Sequence, residues 1–233
     1  MLGPFDYLFL LLSFLAELYV VVCLFPKKQF LRHIPIAFYM MSSALVTVGQ
    51  FYCLHYFGKS SLTYIYFYYY TDSLLTILLF WVVIKFYQHV FDEMKVSAQI
   101  RAAAVLLIVA TAAFSYAVVH QHRSNLTSRF VVELGQNLYF VGVVLTYLLW
   151  GAILKLRETR TRVIQLVLAL GIYFSATAGT YALRNLFPGL QASFLHWVPP
   201  IFGTWLPVAW AYTFTRVSED QRLATARLAV KPR

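Results

Sequence analysis

Charged residues are scarce in this sequence, and acidic residues are the scarcest. Lys, Arg, Asp and Glu make up 12% of the 233 residues, and only 9 residues are acidic. That is too little charge to cover a soluble domain of this size, which excludes a soluble globular protein. The 2 cysteines are too few for a disulfide framework. Cys23 and Cys53 fall at opposite ends of their predicted helices, so they are interpreted as small core residues.

Motifs that would define a reaction or a cofactor are also missing. The sequence has no nucleophile elbow, no HExxH and no pair of catalytic carboxylates, which leaves a lipid-modifying enzyme as the least favoured class. The last apolar segment lacks the lysine that a retinal Schiff base needs. His120 and His122 have no third ligand nearby, so no metal site is predicted. No cofactor is predicted either.

Long apolar runs are what the sequence does contain. It is 61% hydrophobic and 18% aromatic, and a bilayer core about 30 Å thick needs roughly 20 apolar residues per helix. The pattern predicts an all-α, seven-transmembrane helix bundle over residues 1–216, followed by a short basic cytoplasmic tail, 217–233. The predicted helices lie near residues 5–24, 34–57, 62–87, 102–120, 130–154, 163–186 and 194–215.

The basic residues alternate along the chain and predict its orientation. Of the 19 lysines and arginines, 15 lie in the first, third and fifth loops and the tail, and 4 lie in the other loops. The positive-inside rule then puts the N-terminus outside and the C-terminus in the cytoplasm of a multi-pass cell-membrane protein. This distribution accounts for the net charge of +10 without nucleic acid as a partner.

Two carboxyl groups lie inside apolar segments. Asp72 follows a wall of tyrosines and shares a helix face with Tyr68, Tyr69 and Thr76. Glu17 lies one turn from Ser13. A carboxyl in mid-membrane is costly and faces the bundle interior. Glu17 is interpreted either as a neutral group hydrogen-bonded to a neighbouring helix or, like Asp72, as a proton or cation site.

Polar residues are concentrated in the predicted outer half of the helices. This asymmetry predicts an outward-facing polar cavity that binds a small molecule. Arg184 either extends to water or pairs with Glu133 or Asp72. The predicted cavity residues are Gln50, His55, Tyr69, Asp72, Glu133, Asn137, Tyr181, Arg184 and His196.

Small residues recur every four positions in the sixth segment, at Gly171, Ser175 and Gly179. This spacing lets two helix backbones approach closely. The sequence leaves open whether the partner helix belongs to the same chain or to a second subunit, and the oligomeric state is equally open.

The stretch Tyr66–Phe91, YFYYYTDSLLTILLFWVVIKFYQHVF, is followed by an Ala- and Val-rich segment. In these features the chain resembles uncharacterised seven-helix bacterial membrane proteins. The resemblance implies the fold and a plasma-membrane location, and it implies no activity.

Two functions agree with these patterns. The first is a heptahelical sensor or receptor-like subunit that binds a small ligand in the outer cavity and contacts a cytoplasmic protein through its basic loops and tail. The second is a small secondary transporter, proton-coupled through Asp72 and Glu17. A transporter would also need an inner vestibule, for which the sequence has no signal.

Overall fold

The computed structural model describes residues 4–24, 33–58, 61–91, 97–120, 126–155, 160–187 and 197–218. These ranges contain seven α-helices. In chain order they are α1 (Pro4–Leu24), α2 (Ile34–Phe57), α3 (Leu62–Val90), α4 (Ser97–His120), α5 (Leu126–Lys155), α6 (Thr161–Leu186) and α7 (Val198–Arg216).

The helices lie where the apolar segments predicted them, with differences at their ends. α4 begins at Ser97 instead of residue 102, and α5 begins at Leu126 instead of residue 130. These extra turns are polar, and a helix continues past the apolar stretch because its backbone hydrogen bonds do not depend on side-chain polarity. Of the predicted seventh helix, residues 194–196 lie outside the described ranges, as does the tail beyond Ser218.

Five helices, α1, α2, α3, α5 and α6, are long and apolar enough to cross a membrane. α4 has a shorter apolar stretch, Val105–His120. α7 carries prolines, a glycine and threonines that lower its apolar character. Large apolar side chains cover the outer surface, as with Leu8, Leu11 and Leu15, which are 56%, 57% and 54% exposed. Such a surface needs lipid to cover it, so the helices form a membrane-embedded bundle.

Six of the helices form a closed ring. Neighbours around the ring are α1, α2, α3, α5, α6 and α7, and α7 packs back against α1. α4 lies outside the ring, packed mainly on α5. Helices α3, α5 and α6 are thereby brought together, although α3 and α6 are far apart in sequence.

Aromatic rings fill the centre of the ring of helices. Trp210, Tyr139, Phe80 and Phe174 are the largest side chains that are fully buried. The Phe80 and Phe174 rings meet edge to face with centroids 6.2 Å apart, a favoured geometry for aromatic pairs. The Trp210 Nε1–H donates to the Leu166 carbonyl oxygen at 3.2 Å, so its polar group is satisfied inside the core.

Gly58 and Ser61 flank the connection between α2 and α3. Gly58 has a φ of 76°, in the left-handed region that favours glycine. Ser61 caps the helix by accepting a hydrogen bond on its Oγ from the Tyr64 amide at 3.1 Å. The Ser61 cap fixes where α3 begins, and Asp72 follows ten residues after Leu62, roughly 15 Å along the helix axis.

Candidate functional site

Asp72 is held by a tyrosine from another helix. The Tyr139 hydroxyl on α5 donates to Asp72 Oδ1 over 2.7 Å. Tyr139 is 1% exposed, whereas Asp72 is only half-buried. Within the described residues, Asp72 Oδ2 accepts no further hydrogen bond. One carboxyl oxygen is therefore held in place by a side chain of α5.

A glycine lets α3 and α5 approach closely at this point. A Cβ atom at Gly135 would lie 3.2 Å from Ser73 Oγ and 3.8 Å from Asp72 Oδ2. The Ser73 hydroxyl donates to the Val131 carbonyl oxygen at 3.1 Å, one turn earlier on α5. Tyr139 lies one turn after Gly135, so this close approach brings its hydroxyl within reach of Asp72.

Three further tyrosines surround the Asp72–Tyr139 pair. The Tyr173 hydroxyl oxygen is 3.3 Å from that of Tyr139, and the Tyr181 ring stacks on Tyr139 with centroids 5.7 Å apart. Tyr68 of α3, like Tyr173 and Tyr181, lies close enough to Asp72 to interact with it electrostatically. We call Tyr68, Tyr139, Tyr173 and Tyr181 the tyrosine cluster.

Glu17 occupies a second polar site, between α1 and α2. It is 3% exposed. Its carboxyl oxygens accept hydrogen bonds from Ser43 at 2.7 Å, Ser13 at 3.2 Å and Thr47 at 3.3 Å. The predicted contact with a neighbouring helix is present. The protonation state of Glu17 stays a prediction.

Tyrosine hydroxyl groups lie between the two carboxyl groups in the interior. Tyr39 of α2 is in hydrogen-bonding contact with Ser43 and interacts electrostatically with Tyr173, Glu17 and Asp72. Tyr173 in turn contacts Tyr139. The hydroxyl groups of Tyr39 and Tyr173 therefore lie in the region between Glu17 and Asp72.

The predicted cavity residues do not all meet at Asp72. Tyr181 joins the tyrosine cluster, and Tyr69 packs edge to face on Tyr68 with centroids 5.5 Å apart. Asn137 donates to Ser115 Oγ of α4 at 2.9 Å, which places its amide on the α4–α5 interface. His55 is exposed and stacks on Phe51.

The other predicted residues lie nearer the ends of the helices. Gln50 and Glu133 are half-buried, and Arg184 is exposed and interacts electrostatically with Tyr181. His196 lies outside the described residues.

Tyr139 and Tyr173 were not among the residues that the sequence indicated. Each is a tyrosine in an apolar helix, with no charged neighbour to single it out. One signal for Tyr173 was present, because it shares a stripe of α6 with Thr177 and Tyr181 at spacings of four residues. For Tyr139 we find no signal, since its role depends on Asp72, 67 residues away in sequence.

Gly171 and Ser175, two residues of the small-residue stripe of α6, line a groove. A Cβ atom at Gly171 would lie 3.8 Å from Thr146, and one at Gly179 would meet no described atom within 4 Å. The groove, of about 240 Å³, lies among α5, α6 and α7 and is lined by Ser175, Trp150 and Phe202. A role of this stripe in helix packing stays a prediction.

Comparison with known proteins adds no functional assignment to this geometry: no family model, no curated protein and no solved structure matches the chain.

Proposed function

We propose that the protein is a seven-span, receptor-like subunit of the cell membrane that binds a small polar ligand at Asp72. In this proposal the N-terminus is outside, the C-terminus is cytoplasmic, and the site lies between α3, α5 and α6 in the outer half. The observation that carries the proposal is the half-buried Asp72 carboxyl, oriented by Tyr139 through one oxygen. A preorganised polar group inside an apolar bundle is typical of a binding site.

The chemistry of the site favours a ligand with a positive charge or a strong hydrogen-bond donor. A carboxylate oxygen accepts hydrogen bonds and attracts cations. The faces of tyrosine rings attract ammonium groups at about 6 Å or less, and the tyrosine cluster surrounds Asp72 on three helices. An amine is therefore the ligand class to screen first. Signalling would pass to a cytoplasmic protein through the basic loops and tail.

Thermal stability of the detergent-purified protein tests the proposal. We expect a compound from a pool of amines and polar metabolites to raise the melting temperature of the wild type, and Asp72→Asn to abolish the shift. Tyr139→Phe, which removes the hydroxyl that donates to Asp72, should reduce the shift. Its matched control is Tyr147→Phe, because Tyr147 lies on the same helix but is 63% exposed on the surface of the bundle. Equal responses of wild type and Asp72→Asn to every stabilising compound would contradict the proposal.

A proton-coupled transporter is the second candidate, and the hydroxyl groups that lie between Glu17 and Asp72 favour it. Hydroxyl groups can relay protons because each both donates and accepts hydrogen bonds. The test is proton uptake by proteoliposomes under an imposed pH gradient, followed with an internal pH-sensitive dye. Transport predicts that Glu17→Gln and Asp72→Asn each abolish the flux. A flux that neither substitution changes would exclude this role for the carboxyl groups.

A further inference from the structure

A cavity of about 250 Å³ lies at the opposite end of α3 from the tyrosine cluster. It is enclosed by the start of α2, the last turns of α3 and the start of α6. Asp72 and Lys85 are thirteen residues apart on α3, so the cavity lies roughly 20 Å from the Asp72 site along the helix. The two sites are physically separate.

The polar lining of this cavity is basic. It consists of His33, Lys85, Gln88 and His89, and none of the lining residues within the described ranges is acidic. Lys85 is exposed at the rim, and His89 is half-buried. Ile36, Val82 and Phe86 form the apolar part of the wall. A wall that is cationic on one side and apolar on the other suits an anion attached to an apolar or neutral body.

A second positively charged side chain lies next to the same side of the cavity. The Nη1 atom of Arg160 is 2.7 Å from Nε2 of His89. Because a guanidinium group can only donate, the His89 ring accepts this bond at Nε2 and carries its own proton on Nδ1. Arg160 therefore adds a permanent positive charge beside the cavity, together with that of Lys85.

The start of α2 adds a favourable backbone field. Pro35 and Ile36, in its first turn, line the cavity. His33, at the N-cap, makes no side-chain capping hydrogen bond, and the first turn holds no acidic residue. The N-terminal end of a helix carries a partial positive charge and amide groups without partners inside the helix. The helix start and Lys85 thus border one small cavity, and Arg160 contacts His89 of its wall.

We infer that this cavity binds a phosphate group, either on the headgroup of an anionic phospholipid or on a soluble phosphate compound. Phosphate is an anion that lysine, arginine and helix N-termini all bind well. In the proposed topology the cavity opens at the cytoplasmic face. Basic pockets between membrane helices on that face suit anionic lipid headgroups. The inference does not depend on the ligand proposed for Asp72.

Melting of the detergent-purified full chain tests this inference with three probes. These are inorganic phosphate, dihexanoyl-phosphatidylglycerol and dihexanoyl-phosphatidylcholine. We expect phosphatidylglycerol to raise the melting temperature and phosphatidylcholine, which has the same chains but no net charge, to do so much less. A rise with inorganic phosphate alone at comparable concentration would identify a soluble phosphate as the source. No rise with either anionic probe would overturn the inference.

Substitution of two lysines, one at a time, distinguishes binding at a specific site from general attraction between opposite charges. Lys85→Gln should weaken phosphatidylglycerol binding about fivefold, the effect of one basic residue near an anionic headgroup. Lys155→Gln is the matched control, since Lys155 is also exposed and ends α5 away from the cavity. Equal weakening by both substitutions would overturn the inference. Asp72→Asn should leave phosphatidylglycerol binding unchanged, which keeps this test distinct from that of the Asp72 site.

Discussion

The ring of Phe174 lies directly against the backbone of Gly142. A Cβ atom at position 142 would come within 2.5 Å of the Phe174 ring, far inside contact distance. Phe174 also packs against Tyr139 with ring centroids 6.2 Å apart. The glycine therefore allows α6 to approach α5 closely enough to support the side chain that orients Asp72.

Gly142→Ala should destabilise the protein. Phe174 is fully buried and cannot move away without displacing Phe80 and Tyr139, and overpacking of this kind costs about 1–3 kcal/mol. We expect a lower melting temperature in detergent. Gly151→Ala on the same helix is the control, because a Cβ atom there meets no described atom within 4 Å. If both variants melt alike, the close approach at Gly142 is not important for stability.

Asp72 and Tyr139 should be energetically coupled. A hydrogen bond to a charged group is worth about 1.5–3 kcal/mol. Tyr139→Phe and Asp72→Ala each remove this bond, so the double variant should be less destabilised than the sum of the two single variants. The measurement is a double-mutant cycle on unfolding free energies in detergent. Additivity within about 0.5 kcal/mol would mean that the two side chains do not interact.

Ser43→Ala should destabilise the α1–α2 contact. Ser43 makes the shortest of the three hydrogen bonds that Glu17 accepts from described residues, at 2.7 Å. Hydrogen bonds between membrane helices are worth about 0.6 kcal/mol on average, with a maximum of about 1.7 kcal/mol. Leaving a buried carboxyl with one donor fewer puts the expected loss at the upper end. Ser42→Ala provides the control at a half-buried neighbouring position. Equal unfolding free energies for the two variants would show that Glu17 does not depend on Ser43.

The proposed orientation predicts which positions are reachable from outside the cell. After replacement of Cys23 and Cys53 by alanine, a cysteine introduced as Lys59→Cys should react with a membrane-impermeant maleimide on intact cells. One introduced as Lys155→Cys should react only after permeabilisation, because the positive-inside rule places that loop in the cytoplasm. Labelling in the reverse pattern would invert the topology and place the basic cavity outside.

The positions of the helices were predictable because membrane helices follow apolar length. α2 begins and ends at the predicted residues 34 and 57, and α3 begins at the predicted residue 62. The local partner of Glu17 was equally predictable, since Ser13 lies one turn away and its hydroxyl reaches the carboxyl at 3.2 Å. Both predictions use only the spacing of residues along a single helix.

The partners of Asp72 were not predictable in the same way. Asn137 has the polar side chain and the position along its helix expected of a cavity residue, yet it faces Ser115 of α4. Tyr139, two residues later, points from the same helix to Asp72. Two residues along a helix with 3.6 residues per turn differ in direction by about 200°. Which of the two side chains faces Asp72 therefore depended on which helix lies on each side of α5.

The sequence by itself determined the apolar helices, their approximate ends and the presence of two carboxyl groups inside them. These properties follow from residues close together along the chain, through helix periodicity and the cost of exposing polar groups to lipid. Only the tertiary structure decided that α4 lies outside the ring, that the tyrosine cluster surrounds Asp72, and that Lys85 meets the start of α2. Those relationships join residues far apart in sequence, and they depend on how helix surfaces fit together.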